Sequence, residues 1–109
     1  MRARGVEANH LASQPVLPHK KPMTFADAFL AISDPNRRYL LEELRRSPKT
    51  VGQLAAGLPV SRPAVSQHLR ILLDAGLVDV EAKGTKRIYA ISTAGFMKLN
   101  LWLDQFWEA

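Results

Sequence analysis

A mostly α-helical domain carrying one small β-hairpin, in the order α-α-α-α-β-β-α, is the fold class predicted by three observations. Apolar residues recur at three- and four-residue spacing over much of the chain from Met23 onward. Small polar caps, prolines and glycines punctuate that pattern at regular intervals: Asp34-Pro35, Ser47-Pro48, Thr50, Gly57, Pro59, Ser61 and Gly76. Finally, two β-branched, alternating runs flank Lys83-Gly84-Thr85-Lys86, which is a hairpin signal.

Each element has its own local cause. Phe25, Ala28, Phe29 and Ile32 share one face, so 24–32 is a short amphipathic helix. Asp34 is an N-cap, and Pro35 occupies a first helical position where its missing N–H costs nothing. The second helix buries Tyr39, Leu40, Leu41 and Leu44 and stops at Ser47-Pro48. Thr50, with Gln53 three residues on, has the spacing of a capping box for a third, short helix that Gly57 and Pro59 end. Ser61 caps a fourth helix with Pro63 in its first turn; it runs to about Ala75, and Gly76 suits the left-handed position after it. The strands are expected over Leu77–Glu81 and Arg87–Ile91, and a last helix from Ser92 or Thr93 to Trp107.

Composition bounds what such a domain can do. The chain has 109 residues, enough for one core and too few for two. With 47% apolar and 23% charged residues it belongs with globular rather than disordered chains. The absence of cysteine excludes disulfides, thiolate-bound zinc, iron–sulfur centres and thiol nucleophiles. No apolar stretch is long enough to span a bilayer and no secretory leader pattern opens the chain, so a cytoplasmic protein without a membrane partner is expected. No glycine-rich phosphate loop, nucleophile–base pair or carboxylate dyad is present, and an enzyme is not expected.

The net charge of +5 permits a polyanionic partner without naming one. Residues 1–22 contribute +3 of it and contain Pro15, Pro18 and Pro22, so they read as a flexible basic tail, a linker or an arm. The domain proper is expected over 23–109. Its charges matter through their positions.

Two helices joined by a three-residue turn, Leu58-Pro59-Val60, with the second capped by Ser61, have the form of a helix-turn-helix. On a helical wheel Val65, Leu69, Leu72 and Leu73 form the buried face of 61–75. The other face carries Pro63, Gln67, Arg70 and Asp74, with Ser66 at its margin and Arg62 in the first turn. Glutamine suits adenine and arginine suits guanine in the major groove, while the Ser61 and Ser66 hydroxyls suit bases or phosphates. Any solvated helix face carries such residues, so the hairpin matters: Lys83, Lys86 and Arg87 gather three cations at its tip, directly after this helix, as a wing that grips phosphates or the minor groove would. A module for protein contacts alone would favour a neutral or acidic wing and an apolar helix face.

The run Ala31-Ile32-Ser33-Asp34-Pro35-Asn36-Arg37-Arg38, then Leu54-Ala55, then Val60 through Leu69, then Leu72 and Ala75 to Val78, resembles the ArsR-type winged-helix transcriptional repressors. The resemblance covers about residues 24–108, and the chain closely resembles a metal-independent, mycobacterial-type branch. It implies a homodimer on a pseudo-palindromic double-stranded DNA operator, often that of its own gene. It assigns DNA contacts to Ser61, Arg62, Ser66, Gln67 and His68 and to the wing residues Lys83, Lys86 and Arg87; Pro63 and Arg70 join them from the exposed helix face. His68, at the edge of the buried arc, fits a packed or backbone-bonded imidazole as well as a phosphate contact.

Many such repressors answer to metals, a pattern this chain departs from. Cysteine is absent, the last helix has no histidine, and its acids are Asp104 and Glu108 alone. No metal and no cofactor are expected; a metal- or small-molecule-responsive repressor is the alternative. A dimer is expected because the last helix places Phe96, Leu99, Trp102, Leu103, Phe106 and Trp107 on one broad arc, and Phe25, Phe29 and Ile32 form a second stripe. Packing both against a symmetry mate buries them and sets two recognition helices about 34 Å apart, one turn of DNA.

Overall fold

The computed structural model describes residues 24–107. Five helices and three short strands follow in the order α1 (Phe25–Ile32), α2 (Pro35–Arg46), β1 (Lys49–Thr50), α3 (Val51–Ala55), α4 (Arg62–Asp74), β2 (Val78–Lys83), β3 (Lys86–Ile91) and α5 (Thr93–Asp104). The expected tail, residues 1–22, lies outside the described residues.

Helix starts follow the caps predicted at Asp34, Thr50, Ser61 and Ser92, and Thr24 adds one that was not predicted. Side chains of Thr24, Asp34, Thr50, Ser61 and Ser92 each accept from the backbone N–H three residues on. At α3 the box closes in both directions, with Thr50 Oγ1 accepting from Gln53 N–H at 3.2 Å and Gln53 Oε1 from Thr50 N–H at 2.9 Å. The far end of α4 is a Schellman turn: Gly76 adopts φ +78°, its N–H donates to Leu73 C=O at 3.0 Å, and Leu77 N–H donates to Leu72 C=O at 3.0 Å. That turn delivers the chain directly into β2.

The strands depart from expectation in two ways and the last helix in one. A two-residue strand, β1, adds a third edge to the hairpin and gives the order β1-β3-β2, with Lys49 opposite Tyr89 and Thr50 opposite Ile88. No two-residue segment can show a period, so the sequence pattern could not reveal it. The hairpin also extends further than predicted. Lys83 and Lys86 pair across it, leaving Gly84-Thr85 as a two-residue turn with Gly84 at φ +62°, the left-handed value such turns demand. The last helix ends at Asp104 rather than Trp107 and unwinds through turns.

One core holds these elements together. Leu40, Leu54, Leu69, Leu72, Leu77, Val65 and Val78 are fully buried, so α2, α3, α4 and β2 meet at a common centre. Leu99 of α5 also belongs to this core, at 5% exposure. It was expected on a dimer surface, whereas in the single chain this edge of the α5 arc turns inward. Phe96, Leu103, Phe29 and Ile32 are half-buried against the same core.

Candidate nucleic-acid interface

The buried stripe of α4, Val65, Leu69, Leu72 and Leu73, fixes which side of the helix faces outward. Ser61, Arg62, Pro63, Ser66, Gln67 and Arg70 are all exposed, while His68 is half-buried. On the wing, Lys83, Lys86 and Arg87 are exposed, with Lys83 and Lys86 facing each other across the turn. A cleft of about 380 Å³ joins the two elements, lined by Thr50, Val51, Arg62, Ser66, Thr85, Lys86 and Arg87.

Several of these side chains are less free than their sequence positions suggest. Arg62, expected to project from the first turn, lies back over α3: a Cβ built on Gly52 would sit 3.3 Å from its Nη2 and 3.6 Å from its Cζ. Arg70 is drawn to Asp74 one turn on, with Nε 3.3 Å from the carboxylate. This i,i+4 pair is exposed and adds a few tenths of a kcal/mol at most. Gln67 has no hydrogen bond among the described residues and keeps its amide available. The Ser61 hydroxyl caps α4 by accepting from Ala64 N–H at 3.2 Å and retains its proton for donation outward.

His68 is engaged internally. Its Nδ1 lies 3.3 Å from Nη1 of Arg37, and because a guanidinium only donates, Nδ1 is the acceptor and the proton belongs on Nε2. The same guanidinium donates from Nε to Ala31 C=O at 2.7 Å and from Nη2 to Leu30 C=O at 3.1 Å. Arg38 Nη1 reaches Ile32 C=O at 2.9 Å. Two arginines of α2 therefore satisfy the last carbonyls of α1, where the helix dipole favours cations. The Asp34 carboxyl is held below its usual 3.8, chiefly by the Arg37 backbone N–H; desolvation opposes this, and the Arg37 charge adds to the lowering. Arg37 was present in the sequence run but carried no signal of this role, because its partners stand 6, 7 and 31 residues away. Thr50, Gly52 and Thr85 were missed for the same reason.

The aromatic residues of α1 and α5 meet within one chain. The Trp102 ring packs on Phe25, Phe29 and Phe106 at centroid distances of 6.2, 5.2 and 4.8 Å. The two apolar stripes thus merge, and Phe106 and Trp107 each remain 64% exposed and Leu101 70%. Among the described residues no cluster of three or more His, Cys, Asp or Glu could hold a metal ion, and no helix is long and apolar enough to cross a membrane.

Two helices set by a short turn, the second with its polar face outward and a cationic hairpin beside it, define a winged helix-turn-helix DNA-binding protein. Comparison with known proteins agrees. Residues 34–80 match the family described as "Bacterial regulatory protein, arsR family". The chain is 48% identical over 80 residues to the HTH-type transcriptional regulator Rv2034 of Mycobacterium tuberculosis, covering 73% of this chain and 75% of that one. It is 34% identical to the transcriptional repressor SdpR of Bacillus subtilis, covering 73% and 89%. The solved structure of an ArsR-like transcriptional regulator from Rhodococcus sp. RHA1 superposes with a TM-score of 0.69 at 35% identity, over 75% and 77% of the two chains. The chain belongs to the ArsR family of transcriptional regulators, and its homologues and fold are those of DNA-binding proteins rather than enzymes.

Proposed function

We propose that this regulator is a homodimeric, sequence-specific repressor that binds a pseudo-palindromic operator, that of its own gene included, in the cytoplasm and without a metal effector. The observation that carries this reading is the surface of α4: six exposed residues from Ser61 to Arg70, Gln67 among them with its amide unengaged, beside a wing that exposes Lys83, Lys86 and Arg87 at its tip. A single helix reads only a few base pairs, so specificity calls for two copies held in register. The rings of Phe25, Trp102 and Phe106 meet and stay partly exposed, and with Trp107 they offer apolar surface suited to an isologous contact. Leu99 takes no part in that contact. The metal-independent reading is supported by the lack of cysteine and of any ligand cluster among the described residues.

The test is a polarisation titration on the duplex upstream of the gene against a scrambled duplex, with sedimentation on the same samples. Preferential binding by a dimer, undisturbed by added transition metals, is expected. Equal affinity for both duplexes, a monomer at micromolar concentration, or metal-driven release would each remove the corresponding part of the proposal.

A further inference from the structure

The cleft between α4 and the wing brings together Arg62, Lys86 and Arg87 with the hydroxyls of Ser66 and Thr85, and no carboxylate lines it. None of the three cations is in an ion pair among the described residues. Three uncompensated charges converging from two elements repel one another, and an anion seated among them relieves that repulsion. Beside a recognition helix, the anion at hand is a backbone phosphodiester of DNA. Arg62 also leans on α3 instead of projecting freely from α4. It stands at the first position of α4, and its guanidinium folds back over Gly52 toward α3 and the cleft. A Cβ at residue 52 would come within 3.3 Å of Nη2, so the guanidinium would have to give by a few tenths of an ångström, and a longer side chain there would displace it.

We infer that Arg62, Lys86 and Arg87, with Ser66 and Thr85, form a clamp for one DNA phosphate that ties the recognition helix to the wing, and that Gly52 is the positioning residue that lets Arg62 lie there. Arg62 then reads no base, and discrimination falls on Gln67, one and a half turns further on. This inference rests on the DNA-binding reading proposed above and changes the expected role of Arg62 from guanine reader to phosphate ligand. Phosphate contacts fix register and carry salt dependence, whereas base contacts carry sequence preference, so the two roles separate by experiment.

The wild-type protein is used to enrich a binding site from a randomised duplex library, and wild type, Arg62→Ala, Gly52→Leu and the double variant are titrated on that site and on a scrambled duplex. The Arg62→Ala variant is expected to bind both duplexes about tenfold more weakly, as for loss of one charged hydrogen-bonding group. It should enrich the same motif and show a log K against log salt slope shallower by about 0.9. Gly52→Leu is expected to follow in the same direction, and the double variant to be no weaker than Arg62→Ala, because both remove one guanidinium from one place. Melting curves, with Gly52→Ala as a second variant, separate displacement of Arg62 from damage to α3. A motif that loses preference at one position in Arg62→Ala, or an unchanged salt slope, would overturn the clamp. Losses from Gly52→Leu and Arg62→Ala that add in full would overturn the positioning role. If wild type enriches no motif while Arg62→Ala still flattens the slope, the sequence-specific reading fails and the clamp stands.

Discussion

Replacing Arg37 by alanine tests how α1 is held to the rest of the domain and how the recognition helix is braced. One guanidinium serves three acceptors: Ala31 C=O at 2.7 Å, Leu30 C=O at 3.1 Å and His68 Nδ1 at 3.3 Å. Hydrogen bonds from charged donors contribute about 1.5–3 kcal/mol when shielded. The Ala31 bond is short and part-buried and takes the middle of that range, whereas the Leu30 bond is exposed and the His68 contact long. A total near 2–3 kcal/mol follows. The backbone N–H that Asp34 accepts from survives the change, and alanine is at least as good a helix former as arginine, so neither cap nor propensity contributes to the loss. For a domain of this size the melting temperature should fall by about 10–20 °C. Circular dichroism melts on wild type, Arg37→Ala and Arg37→Lys measure it. Lysine retains the charge but has no fork to span two carbonyls and a ring, so it should recover less than half of the loss. A drop under about 3 °C for alanine, or full recovery by lysine, would refute the bridging argument.

Gln67→Ala should cost about 1–3 kcal/mol in operator binding and relax preference at one base position, read by competition with single-base variants of the site. Gly95→Ala should destabilise the fold by roughly 3 kcal/mol in urea unfolding, because a Cβ there would overlap the Gly76 carbonyl oxygen where α5 starts against the turn after α4. Trp107→Glu, at a residue 64% exposed, should leave the melting of the monomer fold intact while shifting sedimentation toward a single chain; an unchanged dimer would place the interface elsewhere. Asp34→Asn should matter only in acid. A carboxyl whose value is lowered on folding stabilises above its unfolded value near 3.8 and loses that contribution as pH falls through the folded one. Asparagine caps nearly as well, so the variant should match wild type at neutral pH and show a flatter loss of stability below about pH 4, followed by melting across pH.

What sequence alone determined here is local or periodic. Caps at Asp34, Thr50, Ser61 and Ser92 act on an N–H three residues away, and the apolar spacing of Val65, Leu69 and Leu72 sets the outward face of α4, so both could be read without coordinates. The family resemblance was legible for the same reason, its residues lying in ordered runs. Tertiary structure decided everything that joins distant segments. It turned Leu99 inward, gathered Phe25, Phe29, Trp102 and Phe106 around one ring, and laid Arg62 over Gly52. It also gave His68 to Arg37 and paired Lys49 with Tyr89. Side chains as long as arginine choose among many rotamers of similar energy, and which one wins depends on a carbonyl, a ring or a missing Cβ supplied from another part of the chain.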